Sequence, residues 1–328
     1  MRIDTDEETG RPLVRVSMFG GMGDSVMATG AMGALADKFP SVLFDVYVAQ
    51  YPEVFWNLPF VRRVLYGHDG DARIIPLLCH TSPGDTEYGT LYTAYRGLNV
   101  LDVPTSERRL RFVHHGNDLE WARTELEERG WRPGEPTIGV QLTGGKRTKS
   151  WKHSMQFCRM LRNKGWQVVV THTEPVDVRE DRIIFMCDFY NARALASVQH
   201  YMSAYVGFDS GPSWLAAASG IPSLWLFSAT DPDNLIRIGG ANAPYGVIWP
   251  HWEAACLDAF GRSCRTEPGW DYRLEGSTCP FFYGGAGADC LNSVSPFLVY
   301  DQLLLLLEEA GKPKPENNLW KPVLSLAN

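Results

Sequence analysis

The chain has 328 residues, 45% of them hydrophobic and 21% charged, with a formal net charge of −7. That length is on the order of two domains, and the acidic balance excludes a protein whose main task is gripping nucleic acid. No segment approaches the ~20 apolar residues that span a bilayer. The acidic, polar stretch from Met1 to Arg11 is unlike a signal peptide, so the expected location is cytoplasmic.

Pro12 to Met18 is predicted to be a strand, followed by the turn Gly20-Gly21-Met22-Gly23-Asp24 and a helix from Ser25 to Phe39. Strands are expected at Val42–Ala49, Val61–Tyr66 and Ile74–Leu78, the βαβ rhythm of a parallel sheet. Residues 80–116 have no clear period and hold Tyr92, Tyr95 and Arg96. A helix from Asn117 to Arg129 stops at Gly130, and the Trp131–Pro136 segment breaks regular structure. This suggests a first domain over 1–132 and a second over 133–328.

In the second, strands are predicted at Thr137–Leu142, Gln167–Thr171, Ile183–Cys187, Ala204–Phe208 and Ser223–Phe227. Helices are predicted at Ser154–Lys164, Asn191–Tyr201 and Pro212–Ser219. A last helix is capped by Ser295, opened by Pro296 and closed by Gly311. The fold class is therefore α/β, with two doubly wound, Rossmann-like domains.

Ligands of doubly wound sheets bind at the carboxyl ends of the strands. Three turns there carry chemistry. Gly20 to Asp24 places a carboxylate in the first turn of a helix, where it is either a cap or a general base. A nicotinamide fingerprint fails, because Val26 stands where the third glycine belongs. Thr143 to Trp151 combines hydroxyls, glycines and the cations Lys146, Arg147 and Lys149, with Lys152 just beyond. That suits a phosphate or, in the bland alternative, a solvated basic loop. Asp209-Ser210-Gly211-Pro212 opens a helix with proline at its expected first position; it either aims N–H groups and a helix dipole at an anion or is a capped helix start with no ligand.

These residues, in this order, resemble the ADP-heptose-dependent heptosyltransferases, glycosyltransferase family 9 with the GT-B fold. The strongest part is Gly207-Phe208-Asp209-Ser210-Gly211-Pro212-Ser213-Trp214, with Gly220-Ile221-Pro222 and Thr230-Asp231-Pro232 after it. Gly23-Asp24, Phe39-Pro40, Gly139 to Gly144 and Lys149-Ser150-Trp151 extend it. The resemblance implies two domains facing a cleft and transfer of heptose from ADP-heptose, with inversion. The acceptor would be a hydroxyl on a lipopolysaccharide core or on a protein. It implies Asp24 as the base and Lys149 as the cation that neutralises the leaving diphosphate. Gly23, Thr143, Asp209, Ser210 and Gly211 would hold the donor, Glu174 would lie near its ribose, and Trp214 replaces the family's common histidine beside the donor turn. No metal is required for that chemistry; Asp231-Pro232-Asp233 belongs to the Thr-Asp-Pro segment rather than to a metal motif. Autotransporter heptosyltransferases are included in the resemblance, and peripheral membrane association and oligomerisation are compatible with it. A UDP- or GDP-sugar donor and a non-catalytic nucleotide-binding module stay open as alternatives.

Cys256, Cys264, Cys279 and Cys290 fall within 35 residues, in a segment at about 251–292 that reads as an insert. Their spacing is not that of a zinc ribbon. The alternatives are a tetrahedral structural iron or zinc site, similar in kind to the four-cysteine iron site of the autotransporter relatives, and a set of unligated thiols.

Overall fold

The computed structural model describes residues 4–67, 75–78, 109–145, 149–174, 176, 180–187, 191–228, 242–250 and 289–315. Lys146, Arg147, Tyr92, Tyr95, Arg96, the Thr230-Asp231-Pro232 segment, Cys256, Cys264 and Cys279 lie outside them.

The first sheet is built from β1 (Asp4–Thr5), β2 (Pro12–Phe19), β3 (Leu43–Val48), β4 (Val61–Tyr66) and β5 (Ile75–Leu78). β2 pairs in parallel with β3 on one side and β5 on the other, and β4 extends beyond β3. The short β1 adds an antiparallel pair at Asp4↔Leu13 that the sequence does not announce. The acidic start is used structurally: Arg62 holds the carboxylates of Asp6 and Asp45 together.

The second sheet runs β11-β10-β9-β6-β7-β8, all parallel. Its strands are β6 (Thr137–Gln141), β7 (Gln167–His172), β8 (Ile183–Cys187), β9 (Ala204–Phe208), β10 (Ser223–Leu226) and β11 (Tyr245–Ile248). In chain order within the sheet this is 3-2-1-4-5-6, and the strand order reverses between β6 and β9. The first sheet begins the same pattern, with its reversal between β2 and β5. Each reversal leaves a crevice beyond the strand ends.

Among the described residues, seven α-helices connect and cover the sheets: α1 (Met22–Lys38), α2 (Gly116–Glu128), α3 (Ser154–Asn163), α4 (Ala192–Gln199), α5 (Gly211–Ala218), α6 (Asp289–Asn292) and α7 (Pro296–Glu309). Their ends obey local chemistry. Asn191 accepts from the N–H groups of Arg193 and Ala194, and Ser295 accepts from Leu298. α2 starts one residue before the expected Asn117: His115 precedes it and no side chain caps it.

α2 does not stay with the first sheet. Ala122 and Leu126 are fully buried against Val169, Ile184, Met186 and Tyr205, which belong to the second. The helix expected to close the first domain therefore packs on the second, because its apolar positions match the outer face of β7 and β8.

The two halves share one apolar body. Val26, Met27 and Val46 of the first half cluster with Leu195, Trp214, Leu215 and Trp225 of the second. Each fully buried Val or Leu contributes about 1.5–3 kcal/mol. Glu53, 7% exposed in a 3-10 turn after β3, adds a polar tie by accepting from the Ala192 N–H at 2.8 Å, at the start of α4.

Candidate functional site

Gly20 has φ +140°, and a Cβ there would overlap the Asp24 carboxylate. Only glycine suits that conformation. The chain then turns into α1, and Asp24 at its third position accepts the Gly21 N–H at 2.6 Å. Asp24 is 9% exposed. The carboxylate is a helix cap, the first of the two alternatives, and it stands at the switch point of the first sheet.

The turn after β9 stands opposite. α5 begins at Gly211, so Pro212 is the second helical residue rather than the expected first. Proline brings no N–H. The Ser213 and Trp214 N–H groups bond the Ser210 carbonyl, at 3.1 and 3.2 Å. The helix start therefore offers fewer backbone donors to an anion than the sequence suggests.

α1 and α5 meet backbone to backbone at these starts. A Cβ on Gly211 would lie 2.6 Å from the Met22 Cβ, and one on Gly23 would lie 2.9 Å from the Trp214 ring. Glycine at both positions permits that approach. The contact brings the Asp24 turn and the Asp209 turn to one crevice.

Beyond β6, the Thr143 loop folds back through a bridge between Thr143 and Ser150. That return carries Lys149 across the reversal to Asp209, with Nζ 2.9 Å from Oδ2. The pair is mostly buried, its side chains 19% and 9% exposed. The other Asp209 oxygen accepts from the Trp214 indole N–H at 3.2 Å. So the lysine expected to meet a diphosphate is held by the Asp209 carboxylate.

Trp214 is 3% exposed and packs edge-to-face on Trp225, ring centroids 4.7 Å apart. A tryptophan at this position has two uses, to stack on a ligand or to pack. It packs, and its polar edge orients Asp209.

Thr143 is exposed, and its hydroxyl lies 3.1 Å from His172 Nε2 at the end of β7. His172 Nδ1 in turn faces Glu174, 2.9 Å from its N–H and 2.9 Å from its carbonyl oxygen. Glu174 is exposed two residues beyond the strand. Thr143, His172 and Glu174 thus form one rim. Sequence reasoning missed His172 and Gln141. Gln141 is 6% exposed at the end of β6 and bonds both the Thr143 carbonyl and the Ser210 hydroxyl. The available signal was a polar side chain ending an otherwise apolar central strand.

Of the four clustered cysteines, Cys290 alone is described, half-buried in α6 and packed against the second core. Among the described residues no group of three or more His, Cys, Asp or Glu side chains is arranged to hold a metal.

Solved structures share this architecture. The chain is similar to the glycosyltransferase family 9 protein from Veillonella parvula DSM 2008, with TM-score 0.64 and 14% identity over 90% of this chain and 97% of that one. It is similar to the ADP-heptose lipopolysaccharide heptosyltransferase II of E. coli, with TM-score 0.61 and 13% identity over 90% and 98%. It is also similar to TibC, the iron-containing dodecameric glycosyltransferase of enterotoxigenic E. coli H10407, with TM-score 0.61 and 13% identity over 91% and 77%. At these identities the likeness establishes the fold, which is GT-B. No curated protein matches the chain in sequence. The family model for glycosyltransferase family 9 (heptosyltransferase) matches residues 94–268, just over half of the chain. The chain belongs to glycosyltransferase family 9, and it is a glycosyltransferase.

Proposed function

We propose that the enzyme transfers heptose from ADP-heptose, with inversion, to a hydroxyl of a lipopolysaccharide core or of a protein. The observation that carries this is the meeting of α1 and α5 at Gly23 and Gly211, with Asp24 on one side and the Lys149–Asp209 pair on the other. Such a crevice has a base for an acceptor and a cation for a leaving diphosphate. The similar heptosyltransferase II uses ADP-heptose by its description, which favours that donor over a UDP- or GDP-sugar.

In this mechanism Asp24 removes the proton of the acceptor hydroxyl. The oxygen attacks the anomeric carbon on the face opposite the diphosphate, and the bond from that carbon to the diphosphate oxygen breaks. Lys149 and the N–H of Gly211 stabilise the charge gathering on the departing oxygen. Thr143, Ser210 and Asp209 shape the phosphate end, and Glu174 lies toward the ribose. Trp214 serves the pocket from behind, through Asp209.

The acceptor-side domain is proposed to span 1–132 and the donor-side domain 133–328. α2 belongs with the latter in its packing, which moves the working division to the stretch before residue 116. A lipopolysaccharide-core acceptor implies work at the cytoplasmic membrane surface as a peripheral protein. Among the described residues no helix is long and apolar enough to cross a membrane. TibC is dodecameric and iron-containing. Oligomerisation is proposed here also, as is a structural iron or zinc ion on Cys256, Cys264, Cys279 and Cys290, whose four sulfurs suit either metal. Stoichiometric metal in the purified protein, lost in Cys279→Ser, is the expected result; a metal-free wild type overturns that site.

A thermal-shift comparison with ADP, UDP and GDP tests the donor. Binding stabilises by mass action. Stabilisation by ADP alone is expected, and a response to UDP or GDP instead overturns the ADP-heptose assignment. Slow release of free ADP from ADP-heptose separates a catalyst from a nucleotide-binding module.

A further inference from the structure

We propose that Gln141 is a positioning residue that locks the two donor-binding loops together across the switch point of the second sheet. The proposal rests on the donor-pocket reading above and goes beyond it, because Gln141 needs no contact with the ligand.

Strand alternation sends Ile138, Val140 and Leu142 into one core of the second half. Thr137, Gly139 and Gln141 take the other face. A long polar side chain that is 6% exposed must find partners, or it destabilises the fold. Gln141 has them on both sides of the crevice. Its Nε2 donates to the Thr143 carbonyl at 2.8 Å. Its Oε1 accepts from the Ser210 hydroxyl at 2.7 Å. The Phe208 N–H also points at Oε1, at 3.5 Å.

These partners are the first turns after β6 and after β9, the strands that flank the reversal. No backbone ladder joins the two loops beyond the last strand pairs, which end at Val140↔Val206. The carboxamide continues the connection where the sheet stops. Gly207, next along from that pair, keeps its path open: a Cβ there would lie 3.0 Å from Oε1 and would overlap the Ser213 hydroxyl. The Gly207 that precedes Phe208-Asp209-Ser210 thus has a physical reason in this chain.

The consequence concerns geometry rather than charge. With its carbonyl held inward, Thr143 keeps its hydroxyl on the rim beside His172. With its proton given to Gln141, Ser210 is fixed as the residue that starts α5, and Gly211 follows in a set direction. Two loops that must grip one diphosphate are thereby held at one separation.

Gln141→Met keeps length and volume and removes both bonds. In the full-length enzyme, amide hydrogen exchange should quicken in the segments around Thr143 and Ser210 together. ADP affinity by calorimetry should fall about tenfold, the scale of one or two polar contacts. Ser210→Ala is a milder variant that keeps the fold, and it should quicken exchange around Thr143, a loop it reaches only through Gln141. In the double variant, exchange around Thr143 should be no faster than in Gln141→Met, since both break one link. Unchanged exchange around Thr143 in Ser210→Ala overturns the link, whether or not Gln141→Met folds. ADP binding by Gln141→Met within twofold of wild type, or exchange around Thr143 that quickens further in the double variant, overturns the positioning role alone. A wild type that does not bind ADP overturns the donor-pocket reading and this role with it.

Discussion

At the switch point of the first sheet, the Asp24 carboxylate, the proposed base, is bonded inside its own turn, to the N–H of Gly21 three residues away. At the switch point of the second, Lys149 reaches Asp209 across 60 residues of sequence and Ser210 reaches Gln141 across 69. One side of the crevice is set by local backbone geometry, the other by the register of a parallel sheet. A local site tolerates change elsewhere in its domain. A long-range one is weakened by any substitution that shifts β6 against β9, with no loss of a group that touches the ligand.

The sharpest way to break this comparison is Asp24→Asn against Asp24→Ala. Asparagine still accepts the Gly21 N–H but is no base. Transfer should fall by about 10³-fold in both, within the usual range for removal of a general base. ADP binding should persist, and only the alanine variant should lose about 1 kcal/mol of stability with the cap. Normal transfer by Asp24→Asn removes Asp24 from the chemistry. On the other side, Lys149→Met should lower kcat by about 10²-fold and should also lower the melting temperature, because Asp209 is left buried without its cation. A kinetic loss without a stability loss would contradict the long-range character of that side.

The smallest expected effect lies where the chain passes from one half to the other. His114 stands edge-on to Phe112 and His200, and neither ring nitrogen has a hydrogen-bond partner. Burial, then the neighbouring His200 and Arg193, push its pKa down from 6.5 to about 4, against a weaker pull from Asp118. The unfolded chain takes up that proton below about 6.5 and the folded one does not. Stability is therefore complete above that pH and declines as the pH falls toward about 4. Water still screens the half-buried ring, which limits the effect to about 1–2 kcal/mol. In denaturant titrations His114→Phe should flatten this slope; an unchanged slope assigns it to other groups.

The same contrast explains what the sequence disclosed. The strands from Ile183 and Ala204 begin and end where their apolar runs do, and Gly130, Gly165 and Gly311 mark helix ends with positive φ. The Gly20–Asp24 and Asp209–Pro212 turns are short, local and legible. Gln141 and His172 are not, because their partners become neighbours only when β6, β7 and β9 align. α2 reads as the end of the first half, since periodicity reports an apolar stripe but not the sheet that covers it. β1 has only two residues, and β11 is a short run broken by Gly246 between Pro244 and Pro250. Trp214 offered a ring and an N–H, and only packing decided that the ring faces Trp225 and the N–H faces Asp209.

Pro212 at the second position of α5, with the next two N–H groups already engaged, has a kinetic consequence. A phosphate at this helix start meets little fixed backbone attraction, and Lys149 arrives already neutralised by Asp209. On the proposed function, an incoming diphosphate divides that ion pair and a departing one is replaced by it. Asp209 then competes for the product's place. Such an arrangement would favour rapid nucleotide exchange over tight retention, so product release need not throttle turnover.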